Sequence, residues 1–86
     1  MNADDGTTPT SPVAAVIDAR GLACPLPLVR LRQALMVVDP GARICLLVTD
    51  PAAPGDVAAF CEAQGHGLIS QEQDGGLTTL LVAKAG

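Results

Sequence analysis

The run Arg20-Gly21-Leu22-Ala23-Cys24-Pro25-Leu26-Pro27-Leu28 sets one thiol between residues that restrict the backbone on both sides of it. Thiol chemistry depends on the thiolate, the form that attacks an electrophilic sulfur or carbon. Pro25 suits the first position of a helix, because its ring presets a helical φ and its missing N–H would have had no intrahelical partner there. Cys24 then becomes the N-cap. A helix start offers unpaired N–H groups and a partial positive charge, and both favour thiolate over thiol. Cys24 is therefore expected to be more acidic than a free cysteine. The shift should be modest, since Pro25 and Pro27 carry no N–H and only Leu26 and Leu28 can donate to the sulfur within the first turn. Pro27 also biases Leu26 away from helical angles, which would start the helix a turn later and leave the thiol on a rigid pre-helical turn. Gly21, Pro25 and Pro27 are the residues expected to position it.

The remaining reactive types offer less. Cys45 and Cys61 fall at positions expected to face the core, where cysteine behaves as a small inert hydrophobe. The spacing 24, 45, 61 forms neither a Cys-x-x-Cys pair nor a metal-ligand cluster, and an odd count argues against a disulfide framework. A reducing cytoplasm fits best. His66 follows a helix-terminating Gly65 and is expected to cap or to be solvated; it could serve Cys24 as a base, but the sequence does not place the two together. Asp18 and Asp50 each follow a strand and precede a turn, where a carboxylate caps backbone N–H groups. An Asp50 close to Cys24 would oppose thiolate formation by like-charge repulsion. Arg20, Arg30 and Arg32 form the one basic cluster and flank the thiol, either as a solvated face or as a contact for a partner or anion.

The elements that must position Cys24 follow from periodicity. Val13 to Asp18 is a short apolar run bounded by Pro12 and the Arg20-Gly21 turn signal, and reads as a buried strand. Leu28, Leu31, Leu35 and Val38 recur at helical spacing over Leu26 to Val38, which leaves Leu26, Val29, Arg30, Gln33 and Val37 on the opposite side. Leu26, Val29 and Arg30 are the expected partner-binding residues, an apolar patch with one cation beside the thiol. Asp39-Pro40-Gly41 stops this helix. Ala42 to Thr49, all but uniformly apolar, is a central strand covered on at least one face. A second helix starts between Pro54 and Asp56, with Val57, Phe60 and Cys61 inward, and ends at Gly65. Leu68 to Gln73 and Leu77 to Lys84 form a hairpin about Asp74-Gly75-Gly76. The order β-α-β-α-β-β predicts an α/β two-layer sandwich, a mixed four-stranded sheet with two helices on one face.

Composition bounds the function. The 86 residues make one domain, expected over residues 13–86, preceded by a disordered Thr-, Pro- and Asp-rich tail over residues 1–12. With no Trp or Tyr and one Phe, the core must be aliphatic, and stacking on nucleic-acid bases is nearly excluded. A net charge of -4, with five scattered basic residues, makes direct binding to nucleic acid or an anionic membrane a poor fit. No stretch approaches membrane-spanning length, and the N-terminus has neither the basic nor the apolar region of a signal peptide. Phosphate loops, paired catalytic carboxylates and Ser/His/Asp sets are absent from the sequence.

Gly21-Leu22-Ala23-Cys24-Pro25-Leu26-Pro27, with Asp18-Ala19-Arg20 before it, resembles the signature of the small TusA/SirA-like sulfur-carrier family. The likeness runs on through Asp39-Pro40-Gly41, Thr49-Asp50-Pro51, Phe60-Cys61 and Gly65-His66, and covers roughly Val16 to Lys84. It implies the fold predicted above. An accessible thiol without a resolving cysteine can pick up a group and hand it on, and the resemblance implies that the group is sulfane sulfur, held as a persulfide on Cys24. It implies a sulfurtransferase of carrier type with no other cofactor. The implied donor is a cysteine desulfurase or rhodanese, the acceptor a protein of the TusD/DsrE type, in tRNA thiolation, sulfur oxidation or related trafficking. Two other readings stay open at this point: a non-catalytic interaction or regulatory module, and a thiol redox sensor.

Overall fold

In the computed structural model, which describes residues 13–86, the chain runs β1 (Val13–Ala19), α1 (Leu26–Val37), β2 (Arg43–Val48), α2 (Ala53–Gln64), β3 (Gly67–Asp74) and β4 (Leu77–Ala83). The tail expected over residues 1–12 lies outside the described residues. The strands form one sheet in the order β1-β2-β4-β3. β1 pairs with β2 in parallel, while β2–β4 and β3–β4 are antiparallel, so the sheet is mixed as predicted.

The period-2 alternation of the strands decides which face is covered. Ile17 and Ala19 of β1, Ile44, Leu46 and Val48 of β2, and Leu80 and Val82 of β4 point one way and are buried with Leu31 and Leu35 of α1 and Ala53, Val57 and Cys61 of α2. Both helices therefore cover the same face. Leu28, Val38 and Phe60 pack at the margin of this aliphatic core. Among the described residues no helix is long and apolar enough to cross a membrane.

Among the described residues the opposite face of the sheet has no second layer, and this corrects two expectations. β1 is an edge strand rather than a buried one: Val16, on the open face, is 66% exposed. Cys45 pairs with Val16 and Leu81 on that same open face and is half-buried, whereas Cys61 sits in the core. Burial pushes the Cys61 thiol above its ordinary value. Cys61→Ala is accordingly expected to cost about 1 kcal/mol through lost packing, with Cys45→Ala costing less; urea unfolding of the two variants checks the order.

The turns close by identifiable contacts. Gly65 ends α2 in the left-handed region at φ 79°, and the His66 N–H donates to the Cys61 carbonyl at 2.9 Å, a closure that a β-carbon at Gly65 would strain. At the end of α1, the Lys84 ammonium donates to the Val38 carbonyl at 2.8 Å. A cation just past the end of β4 thus meets the negative end of a helix that carries no basic residue in its own last turn.

Candidate functional site

Because β1 and β2 are parallel and each leads into a helix, the starts of α1 and α2 lie at one end of the sheet. Two loops meet there. In the first, Ala19-Arg20-Gly21-Leu22 forms a turn closed by the Leu22 N–H on the Ala19 carbonyl at 3.2 Å, with Gly21 at φ 79°. That positive φ explains the glycine, since no atom would obstruct a β-carbon there. The Gly21 N–H donates to Thr49 Oγ1 at 2.9 Å, which ties the first loop to the second.

A tighter turn follows, in which the Leu26 N–H donates to the Ala23 carbonyl at 2.9 Å and Cys24 and Pro25 form the corner. The peptide bond between them is cis. Pro25, not Cys24, is the N-cap of α1, so the thiol stands one residue ahead of the helix. Pro27 is buried and anchors the first turn of α1 in the core, while Cys24 and Pro25 are exposed.

The electrostatics at the sulfur reverse the expected acidity. Leu26 was one of two N–H groups available to the thiolate, and it is committed to Ala23 instead. In its place stand two carboxylates from the second loop and α2. Asp50 Oδ2 accepts the Cys24 N–H at 2.7 Å while Asp50 Oδ1 accepts the Ala52 N–H at 2.8 Å, so one side chain clamps the thiol turn to the start of α2. These two backbone bonds hold the Asp50 carboxyl below its ordinary value. The Cys24 thiol itself donates to Asp56 Oδ2. That bond, followed by partial desolvation and repulsion from Asp56 and Asp50, pushes the Cys24 thiol above its ordinary value. The influences at the sulfur from the described residues all act in this direction, and no cation among them offsets it. Cys24 is an exposed thiol whose surroundings favour the protonated form.

Asp56 is the residue that sequence reasoning missed. An acidic residue in the first turn of a helix ordinarily complements the helix dipole, and 32 residues separate it from Cys24. The signal was topological: parallel strands bring successive helix starts together, so an acid on the first turn of α2 comes to lie beside the residue that precedes α1.

The other candidates are dispersed. His66 lies beyond the far end of α2, about 12 Å of helix past Asp56, where its Nδ1 accepts the Ala85 N–H at 2.9 Å and its ring stacks on Phe60; it is not a base for Cys24. Arg20 grips Asp18 through two bonds of 2.8 Å and holds that carboxyl down at about 2. Arg30 lies exposed on α1, and Arg32 lines a groove of about 510 Å³ with Phe60, His66 and Lys84 at the opposite end of the helices. The three arginines therefore do not form one patch about the thiol. Leu26 and Val29 are 49% and 38% exposed, on the outer side of α1 with Arg30, as the helical periodicity predicts.

Beside the thiol turn lies a shallow cavity of about 290 Å³, lined by Gly21, Leu22, Ala23, Thr49, Asp50 and Pro51. The thiol faces outward on a fixed turn, which suits reaction with a group presented by another surface.

Comparison with known proteins identifies the family. The family described as Sulfurtransferase TusA matches residues 15–84. The sulfur carrier protein TusA of Pseudomonas paraeruginosa is 37% identical over 67 residues, 78% of this chain and 85% of that protein. Its counterpart in Pseudomonas putida is 39% identical over 62 residues, 72% of this chain and 78% of that one. The crystal structure of a SirA-like protein from Desulfitobacterium hafniense superposes with a TM-score of 0.73 at 25% identity, covering 84% of this chain and 99% of that one. A match across both helices, all four strands and the Cys24 turn places the chain in the TusA sulfurtransferase family.

Proposed function

We propose that this protein carries sulfane sulfur as a persulfide on Cys24, receiving it from one protein and delivering it to another. The observation that supports this reading is the exposed Cys24 thiol on a clamped turn, with its proton lodged against Asp56 and a shallow, open cavity beside the turn. The names of the Pseudomonas relatives point the same way.

In loading, the Cys24 sulfur attacks the outer sulfur of a donor persulfide, R–S–SH. The donor S–S bond breaks, a new S–S bond forms on Cys24, and the thiol proton passes to the departing donor sulfur. The sum, Cys24–SH + R–S–SH → Cys24–S–SH + R–SH, balances without an added oxidant, reductant or cofactor. Delivery is the same exchange with an acceptor thiol. A cysteine desulfurase or rhodanese suits the first step and a TusD/DsrE-type protein the second, in a reducing cytoplasm where free thiols persist.

Both steps require another protein's sulfur to reach bonding distance of Cys24, so the surface around it must dock. Leu26, Val29 and Arg30 form that surface, an apolar patch with a cation to set orientation. Val29→Asp and Arg30→Glu are expected to slow sulfur transfer from a desulfurase by about tenfold or more, while alkylation of Cys24 by iodoacetamide stays near the wild-type rate. Equal slowing of both reactions, with the fold retained, would mean that these residues serve the thiol itself and not a partner.

A further inference from the structure

The two carboxylates at Cys24 do more than hold a proton, because they also set the field that any incoming reagent must cross. Asp50 lies within hydrogen-bond reach of the Cys24 backbone and Asp56 touches the sulfur. Among the described residues the cations of this end are placed away from the sulfur: Arg20 is paired with Asp18, and Arg30 lies on the outer side of α1. An anion approaching the sulfur meets two negative charges at close range, whereas a neutral reagent, or one flanked by cations, does not.

Resting on the carrier reading above, we infer that Asp56, with Asp50, makes Cys24 selective against free anionic sulfur compounds and for sulfur presented by a neutral or cationic surface. The excluded class includes hydrogen disulfide, inorganic polysulfides and thiosulfate, which carry their charge on or next to the reacting atoms. Chemically, hydrogen disulfide could load the site. The Cys24 sulfur would attack one sulfur of HSS⁻, the S–S bond would break and hydrosulfide would leave, so that Cys24–SH + HSS⁻ → Cys24–S–SH + HS⁻ balances in atoms and charge. The field, not the bond chemistry, is what disfavours it. A protein persulfide escapes the penalty because its neighbours can bring compensating positive charge to Asp56. The donor that fits therefore presents its persulfide beside a Lys, Arg or His side chain. Asp56 is thus a specificity-determining residue, acting through charge.

A pair of alkylating agents isolates this effect. Iodoacetamide is neutral and iodoacetate anionic, and both consume the same thiolate, so the ratio of their rates at Cys24 reports the local field independently of how much thiolate is present. Peptide mass spectrometry of the whole protein reads Cys24 separately from Cys45 and Cys61. Relative to the same chain in urea, the folded wild type is expected to prefer iodoacetamide by a further factor on the order of five, and the preference should shrink as salt is raised. Asp56→Asn is expected to remove most of it and to speed Cys24 loading by sodium disulfide several-fold. A wild-type ratio equal to that in urea, or one indifferent to salt, would overturn the inference whether or not the variant folds. If the ratio behaves as expected but no donor adds sulfur to Cys24, the selectivity stands and the carrier reading fails.

Discussion

Cys24→Ser is expected to abolish sulfur loading from every donor, a loss of at least about 100-fold, while the protein stays folded. The loss follows from bond chemistry: a serine oxygen does not form the S–S bond in which the cargo is held, and neither Cys45 on the open sheet face nor Cys61 in the core has the exposed turn that Cys24 occupies. Retention of the fold follows from geometry. The Cys24 side chain is exposed, its backbone N–H bond to Asp50 survives the change, and a serine hydroxyl can donate to Asp56 as the thiol does. Exposed substitutions of this kind fall within about 0.5 kcal/mol, so the melting temperature should move by less than about 4 °C. Thermal unfolding and persulfide labelling on one preparation check both halves. Loading of the serine variant would move the acceptor to another thiol.

Asp56→Asn is expected to change the reactivity of Cys24 more than any other substitution that keeps the thiol. The wild-type thiol titrates above its ordinary value, first because it donates to the Asp56 carboxylate and then through desolvation and repulsion. Asparagine removes the charge, so the titration should move down and iodoacetamide alkylation at pH 7 should rise several-fold. A group whose pKa is raised by folding contributes stability that is fully present below its unfolded pKa and lost as pH rises through the folded value. The wild type should therefore lose stability relative to Asp56→Asn on the alkaline side of the ordinary thiol range, and not at acid pH. The pH profile of Cys24 alkylation, with urea midpoints at neutral and alkaline pH, measures both effects. An unchanged or raised titration in the variant would mean that the contact with Asp56 does not govern the thiol.

Resting reactivity and carriage place different demands on a cysteine. A strongly acidic Cys24 would present thiolate continuously to peroxide and to stray electrophiles. A thiol whose titration is raised by a neighbouring carboxylate presents less thiolate at a given pH.

Most of the scaffold could be read from the sequence because it rests on local rules. The stripe Leu28, Leu31, Leu35, Val38 fixed the inner side of α1, and Gly65, Gly75 and Gly76 marked turns that the structure contains. The order of elements gave the mixed sheet and two helices. What local rules could not supply was relative depth. Val13–Ala19 is apolar almost throughout, and such a run reads the same at an edge as at the centre of a sheet. Cys45 failed for the same reason, since alternation in β2 says that it faces away from Ile44 and Leu46 but not that no layer lies beyond. At the site, the Gly and Pro frame identified Cys24, whereas its acidity depended on a local turn that takes up the Leu26 N–H and on Asp56, a tertiary neighbour 32 residues away. Asp50 was recognised as a turn-capping carboxylate, and capping is part of its role, with the Cys24 N–H as its second partner.

The most direct measurement is to incubate the wild-type protein with a cysteine desulfurase and cysteine, map added sulfur onto the Cys24, Cys45 and Cys61 peptides by mass spectrometry, and then add an acceptor thiol protein. The expected result is one sulfur atom on the Cys24 peptide alone, lost when the acceptor gains it. Sulfur on the Cys45 or Cys61 peptide instead, or none on Cys24 with either a desulfurase or a rhodanese, would contradict carriage by this thiol.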